Sequence, residues 1–125
     1  MEINVVSGQV VDAAMRVHSV LGPGLLESAY EACLAHELRQ RSLQVRTQVE
    51  LPVQYDGVRI DIGYRIDMLV EEALVVELKA VETLLPIHEA QLLSYLKLSG
   101  YKVGLLINFN VLHLKDGMKR MVNRL

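Results

Sequence analysis

The sequence predicts an α/β fold, with two helices leading into three strands and a third helix leading into a fourth, and its hydrophobic pattern supplies the reasons. Apolar residues recur at three- and four-residue spacing near the start and alternate strictly from Val49. They become continuous over Ala73 to Val76 and again within Tyr101 to Asn108. These are the periods of an amphipathic helix, a half-buried strand and a strand covered on both faces. At 125 residues, 51% of them hydrophobic, the chain fits one domain over residues 1–125 that buries about two thirds of its unfolded surface.

Ile3, Val6, Val10, Ala13, Val17 and Val20 form the apolar stripe of the first helix, which ends near Gly22-Pro23-Gly24. A second helix follows from about Leu25 to Arg41. Val49, Leu51, Val53 and Tyr55 alternate with Gln48, Glu50, Pro52 and Gln54, so a strand is expected in which Pro52 marks an edge or a break. Asp56-Gly57 is a hairpin signal, because both central positions of a type I′ turn need positive φ. After it Val58, Ile60, Ile62, Tyr64 and Ile66 alternate with Arg59, Asp61, Gly63, Arg65 and Asp67, which puts Asp67 on the polar side of its strand. The apolar run continues to Val70, turns at Glu71-Glu72 and resumes through Lys79. Pro86 opens a helix over Ile87 to Ser99 that Gly100 closes. A buried strand over Tyr101 to Asn108 follows, then a short strand over Val111 to Leu114, and Asp116-Gly117 leads to a terminal helical turn. No internal repeat, linker or low-complexity segment interrupts this order.

Composition narrows the function. Trp is absent and aromatics are few, so the core relies on Leu, Val, Ile and Met. A net charge of −2 argues against a salt-driven coat for nucleic acid. The most concentrated basic segment, Lys115, Lys119, Arg120 and Arg124, suits phosphate tracking and a solvated helix end equally well. The single Cys33 excludes an internal disulfide, and its place between Ala32 and Leu34 predicts a buried thiol in a reducing compartment. No apolar run approaches the roughly 18 residues of a membrane span, and the start of the chain lacks a basic region followed by an apolar stretch. A cytoplasmic protein is expected. Other chemistries fail on spacing: Leu92 stands where a zinc-protease helix beginning at His88-Glu89 needs a second histidine, and Gly22-Pro23-Gly24 follows a helix and lacks the third glycine of a dinucleotide loop. No Walker lysine loop, nucleophile elbow or paired-cysteine zinc pattern occurs.

The chemistry concentrates in Asp67, Glu77 and Lys79, three charged residues set within apolar strands. An unpaired charge in a low-dielectric interior costs on the order of several kcal/mol unless it is paired or bound to a metal. Side chains alternate across a strand, so Glu77 and Lys79 share a face while Leu78 points away, and Asp67 on the neighbouring strand is within reach. Two carboxylates and an ammonium at one spot suit a divalent-metal phosphodiesterase. A structural ion pair between Lys79 and Glu77 is the plainer reading, and it leaves Asp67 unexplained. Glu27 falls in the first turn of its helix, where it complements the macrodipole without further duty. Gly24, Glu27 and Tyr30 form a drifting stripe at three-residue spacing, with Tyr30 free to pack or to serve the site. Gln91 and Tyr95 are four apart on one helix face, where they either satisfy local backbone groups or join the site. His18 and His88 either flank the site or are satisfied surface or core histidines.

Asp67, nine intervening residues and Glu77-Leu78-Lys79 resemble the D…(D/E)-x-K signature of the PD-(D/E)XK nuclease superfamily. Together with Gly24-Leu25-Leu26-Glu27-Ser28-Ala29-Tyr30, the pair Gln91 and Tyr95, and Leu105-Leu106-Ile107-Asn108-Phe109, the chain is similar to one bacterial and archaeal branch, the GxxExxY proteins, over roughly residues 5 to 123. Ile66 stands where the superfamily's name has proline. The resemblance implies a three-layer, restriction-endonuclease-like αβββαβ core with a mixed central sheet between helices and one extra helix in front. It implies Mg2+ or Mn2+ held by Asp67, Glu77, the Leu78 carbonyl and Glu27. Lys79 would orient the attacking water, and Gln91 and Tyr95 would position the lysine or a phosphate. Nucleic acid, DNA first, is the implied substrate, and a homodimer would present two sites to it. A nuclease-fold module that binds nucleic acid or a protein without cleavage, and a hydrolase of small phosphate compounds, remain the rival expectations, because fold does not fix function.

Overall fold

A computed structural model describes residues 1–124. Helix α1 (Ile3–Leu21) starts where the Glu2 carboxylate accepts the Asn4 amide at 3.0 Å and stops at Gly22, whose φ of 67° turns the chain away. Its buried stripe is Val6, Val10, Ala13, Ala14 and Val17. Val20, expected on that stripe, lies at its trailing edge and is exposed. Helix α2 (Glu27–Gln40) buries Tyr30, Leu34, Ala35 and Leu38 beside α1. Cys33 is exposed rather than buried, because its position faces away from those four residues.

Seven strands follow: β1 (Val45–Glu50), β2 (Val53–Tyr55), β3 (Val58–Ile60), β4 (Arg65–Val70), β5 (Leu74–Lys79), β6 (Val103–Asn108) and β7 (Met118–Val122), with helix α3 (Pro86–Ser99) between β5 and β6. Five of them form one mixed sheet in the order β1-β4-β5-β6-β7, in which only β5 and β6 run parallel. The α1/α2 face buries Met68, Val70, Leu74, Val76, Leu78, Leu105 and Ile107. The α3 face buries Leu69, Val75 and Leu106 against Leu92, Tyr95 and Leu96. These are the three layers the pattern predicts, and every residue of β6 is buried, as a central strand requires.

Two alternating runs break where single strands are expected. The first divides at Leu51-Pro52 into β1 and β2, since proline cannot donate to a ladder. The second divides into β3 and β4, with Asp61 to Tyr64 outside any strand. β2 and β3 make their own two-stranded sheet across the Asp56-Gly57 turn, whose φ values of 53° and 74° fit a type I′ turn. At Glu71-Glu72 the same turn is made by two glutamates with φ of 54° and 50°. The Gln44 amide donates to Glu71 at 2.7 Å, and Arg46 holds Glu72 through bonds of 2.7 and 2.8 Å, which offsets the local strain. The end of the chain also departs from expectation. Val111 to Leu114 is not a strand, and a 3-10 turn (Leu114–Gly117) leads to β7 instead of a helical turn, because β6 exposes an edge that the last segment pairs with.

Two aromatic rings fasten α2 to the end of β6. Tyr30 stacks on Phe109 with ring centroids 4.5 Å apart, while its hydroxyl donates to the Gly22 carbonyl at 2.6 Å and accepts from the Leu25 amide at 3.1 Å. Asn108, almost fully buried, uses its side chain to bond both the amide and the carbonyl of Val81 and the amide of Asn110. A Cβ at Gly117 would run into the Asn108 carbonyl oxygen and meet Val111 Cγ2 at 3.2 Å. Because the first of these is backbone, Gly117→Ala should destabilise the chain by about 1–3 kcal/mol. Urea unfolding should show a lower midpoint at unchanged slope, and an unaltered midpoint contradicts this packing.

Candidate active site

The ladder between β4 and β5 ends at the Met68–Val76 pair. Asp67 and Glu77 are next in register, and there the backbone bonds give way to side-chain bonds. The Asp67 amide donates to Glu77 Oε2 at 2.8 Å, and the Leu78 amide donates to Asp67 Oδ2 at 2.9 Å. Each carboxylate therefore satisfies a backbone donor that the parting strands would leave unpaired. Glu77 is only 5% exposed, whereas Asp67 is half-buried.

Lys79 follows on the α3 side, one strand period beyond Glu77. Its ammonium donates to Gln91 Oε1 at 3.4 Å, and the Gln91 amide donates to the Tyr95 hydroxyl at 3.1 Å. The structure thus joins Gln91 and Tyr95 to Lys79 in one chain rather than leaving them to local backbone groups. Tyr64 leans on Tyr95 with centroids 5.9 Å apart. Burial raises the Tyr95 pKa, and the negative charges of Glu77 and Asp67 push the same way against the Gln91 bond.

Two residues that sequence reasoning missed approach from the other side. Gln48 donates to Glu31 Oε1 at 2.7 Å and to Asp67 Oδ1 at 3.4 Å. Glu31 follows Glu27 by one helical turn, a spacing that could have flagged it. No pattern in the sequence marks Gln48, whose place depends on the register of β1 against β4.

The electrostatics of the group are those of excess negative charge. Burial pushes the Glu77 pKa up to about 9, the Asp67 charge adds to this, and the Asp67 amide and the Lys79 charge oppose it. Burial also raises Glu31, the Gln48 bond opposes this, and the charges of Asp67 and Glu27 add to it. Among the described residues, no three His, Cys, Asp or Glu side chains already form a metal cage. The donor set still fits a hard divalent cation: Asp67 and Glu77 are adjacent oxygen donors whose mutual repulsion a cation would relieve.

The other sequence candidates fall elsewhere. Glu27 is exposed at the start of α2, and it reaches the group electrostatically through Glu31. Gly24 precedes the helix and Tyr30 is fully buried, so the expected stripe with Glu27 does not form. His18 bonds the Val111 carbonyl at 2.7 Å beside Phe109, and His88 accepts the Leu85 amide at 2.9 Å to cap α3. Leu78 is buried on the α1/α2 face while its amide serves Asp67. Of the basic segment, Lys119 and Arg120 lie on β7, two strands beyond β5, and Arg120 bonds Asn4 at 2.9 Å.

No helix among the described residues is long and apolar enough to cross a membrane. No match was found among curated proteins or among solved structures. Residues 4–121 match the sequence profile of the PD-(D/E)XK nuclease superfamily, nearly the whole chain. With the mixed sheet between helices and the Asp67, Glu77 and Lys79 cluster at its parting strands, the chain belongs to the PD-(D/E)XK nuclease superfamily.

Proposed function

We propose that the chain hydrolyses phosphodiester bonds in nucleic acid, DNA first, with Mg2+ or Mn2+, as a cytoplasmic enzyme of the GxxExxY branch. The observation that carries this reading is the Asp67–Glu77 carboxylate pair at the end of a ladder with Lys79 beside it, on a nuclease-superfamily scaffold. Asp67, Glu77 and the Leu78 carbonyl would hold the ion, with Glu27 acting through water. A bound divalent ion supplies Lewis-acid polarisation of the phosphate and a more acidic water. Lys79 orients the attacking water and offsets charge on the phosphorane-like transition state. Gln91 keeps the ammonium aimed, and Tyr95 fixes which way the Gln91 amide points. A shallow depression along β1, lined by Arg46, Gln48, Glu50, Pro52 and Arg59, adjoins the cluster only through Gln48, whose amide reaches Asp67.

The second reading is a nuclease-fold module that binds nucleic acid or a partner protein without cutting. The proton that Glu77 keeps at neutral pH in the metal-free chain favours it, because a protonated carboxyl is a poor cation ligand. Calorimetry with Mn2+ alone separates the two. The enzyme should bind the ion and lose binding in Asp67→Ala, whereas binding indifferent to that substitution points to the module.

Incubation with labelled single-stranded, duplex, branched and RNA substrates across several divalent metals should reveal metal-dependent cleavage. Lys79→Ala should reduce it by about 100-fold or more with the fold intact. Cleavage at the wild-type rate in that variant would show the mechanism to be wrong.

A stability test needs no substrate. The folded Glu77 pKa of about 9 exceeds its ordinary 4.5, so between these values the folded chain keeps a proton that the unfolded chain has released. This contribution is complete below the unfolded value and is lost as pH rises toward the folded one, with a slope of up to about 1.4 kcal/mol per pH unit. Metal-free wild type should therefore weaken in urea as pH rises from 4.5 to about 9, and level off above that. Glu77→Gln, which retains an acceptor for the Asp67 amide, should flatten that dependence, and parallel curves for the two proteins would contradict it.

A further inference from the structure

Gln48 sits inside β1 with a φ of 53°. Left-handed backbone is unfavourable for a residue with a Cβ, and no turn requires it here. Thr47 and Val49 on either side remain in register with Met68 and Ile66, so no residue is inserted and the distortion is not a bulge. Its effect appears in which way the flanking residues face. Val45 packs on the α1/α2 cluster with Met68 and Val70, whereas Val49 and Ile66 pack on the α3 cluster with Leu69. Unbroken alternation would keep Val45 and Val49 on one face, and Ile66 and Met68 likewise. Both strands turn over between these pairs, at Gln48 and its register partner Asp67.

The turnover aims a side-chain amide between a helix and a strand. One nitrogen carries two hydrogens, and the Gln48 amide directs it to Glu31 Oε1 and Asp67 Oδ1. Both neighbours are carboxylates, so the nitrogen rather than the oxygen must face them. Since Asp67 Oδ2 is already held by the Leu78 amide, the Gln48 bond restrains the second oxygen and with it the rotation of the carboxylate.

We propose that Gln48 is a positioning residue of the site: it fixes the plane of the Asp67 carboxylate and couples Glu31 of α2 to it. This rests on the phosphodiesterase reading. The left-handed backbone is retained because the bridge needs it.

The bridge is tested first in metal-free protein, by following the Gln48 side-chain amide resonances in 1H–15N NMR spectra. Glu31→Gln and Asp67→Asn should each shift them, and resonances indifferent to both substitutions overturn the proposal. That result stands whether or not the chain cleaves; absence of wild-type cleavage would sink the phosphodiesterase reading instead. The second measurement is turnover in Mg2+. Gln48→Gly removes the bridge and relieves the backbone, so its unfolding midpoint should equal or exceed that of wild type while kcat falls about tenfold or more at nearly constant KM. Adding Glu31→Gln to Gln48→Gly should cost less than Glu31→Gln alone, because the coupling is already gone. An unchanged kcat in Gln48→Gly, or fully additive losses, overturns the positioning role.

Discussion

The structure turns on the place where β4 and β5 stop exchanging backbone hydrogen bonds. An interior amide that leaves a ladder needs another acceptor, and two amides leave this one together, those of Asp67 and Leu78. Glu77 and Asp67 take them reciprocally, each side chain bonding the other's strand. The parting of the strands and the gathering of carboxylates are therefore one feature. It also explains how groups from both layers meet: Gln91 and Tyr95 reach Lys79 from the α3 side, while Glu31 reaches Asp67 through Gln48 from the α2 side.

Such a cluster opposes folding once Glu77 ionises, because its charge is then buried next to that of Asp67. The surrounding fold holds it by over-determining the strand ends. Asn108 clamps the chain just after Lys79 through both polar groups of Val81, and Phe109 carries the Tyr30 ring. The residues singled out in the sequence thus divide by task. Tyr30, Asn108 and Phe109 build the frame, and Asp67, Glu77, Lys79, Gln91 and Tyr95 occupy it.

Much of this was legible because local rules and the final packing agree. The first helix, the turns at Asp56-Gly57 and Glu71-Glu72, and the shared face of Glu77 and Lys79 follow from periodicity and turn chemistry. What escaped depended on partners distant in sequence. β7 forms because β6 offers an edge, a fact invisible in the mixed pattern of Met118 to Val122. The alternation of Val58 to Ile66 read as one strand, yet most of that run never meets the main sheet. Of the two readings open for His18 and His88, the satisfied histidine holds for both, through the Val111 carbonyl and the Leu85 amide. Gln48 was unreadable for the deepest reason: its backbone breaks the alternation from which strand facing is inferred.

The spacing from Gly24 to Tyr30 can then be understood mechanically. The Tyr30 hydroxyl binds Gly22 and Leu25 on the two sides of the loop that precedes α2, so it fixes where the helix begins. That origin sets the rotation of every later residue. Glu27 becomes the first helical residue, and Glu31, four positions on, comes over Gln48. Starting the helix one residue later would rotate Glu31 by about 100° and carry it away from the amide that joins it to Asp67. A buried tyrosine with no charge of its own thereby governs how much negative charge collects at the parting strands, which ties the rigidity of the α2 end to the electrostatics of the site.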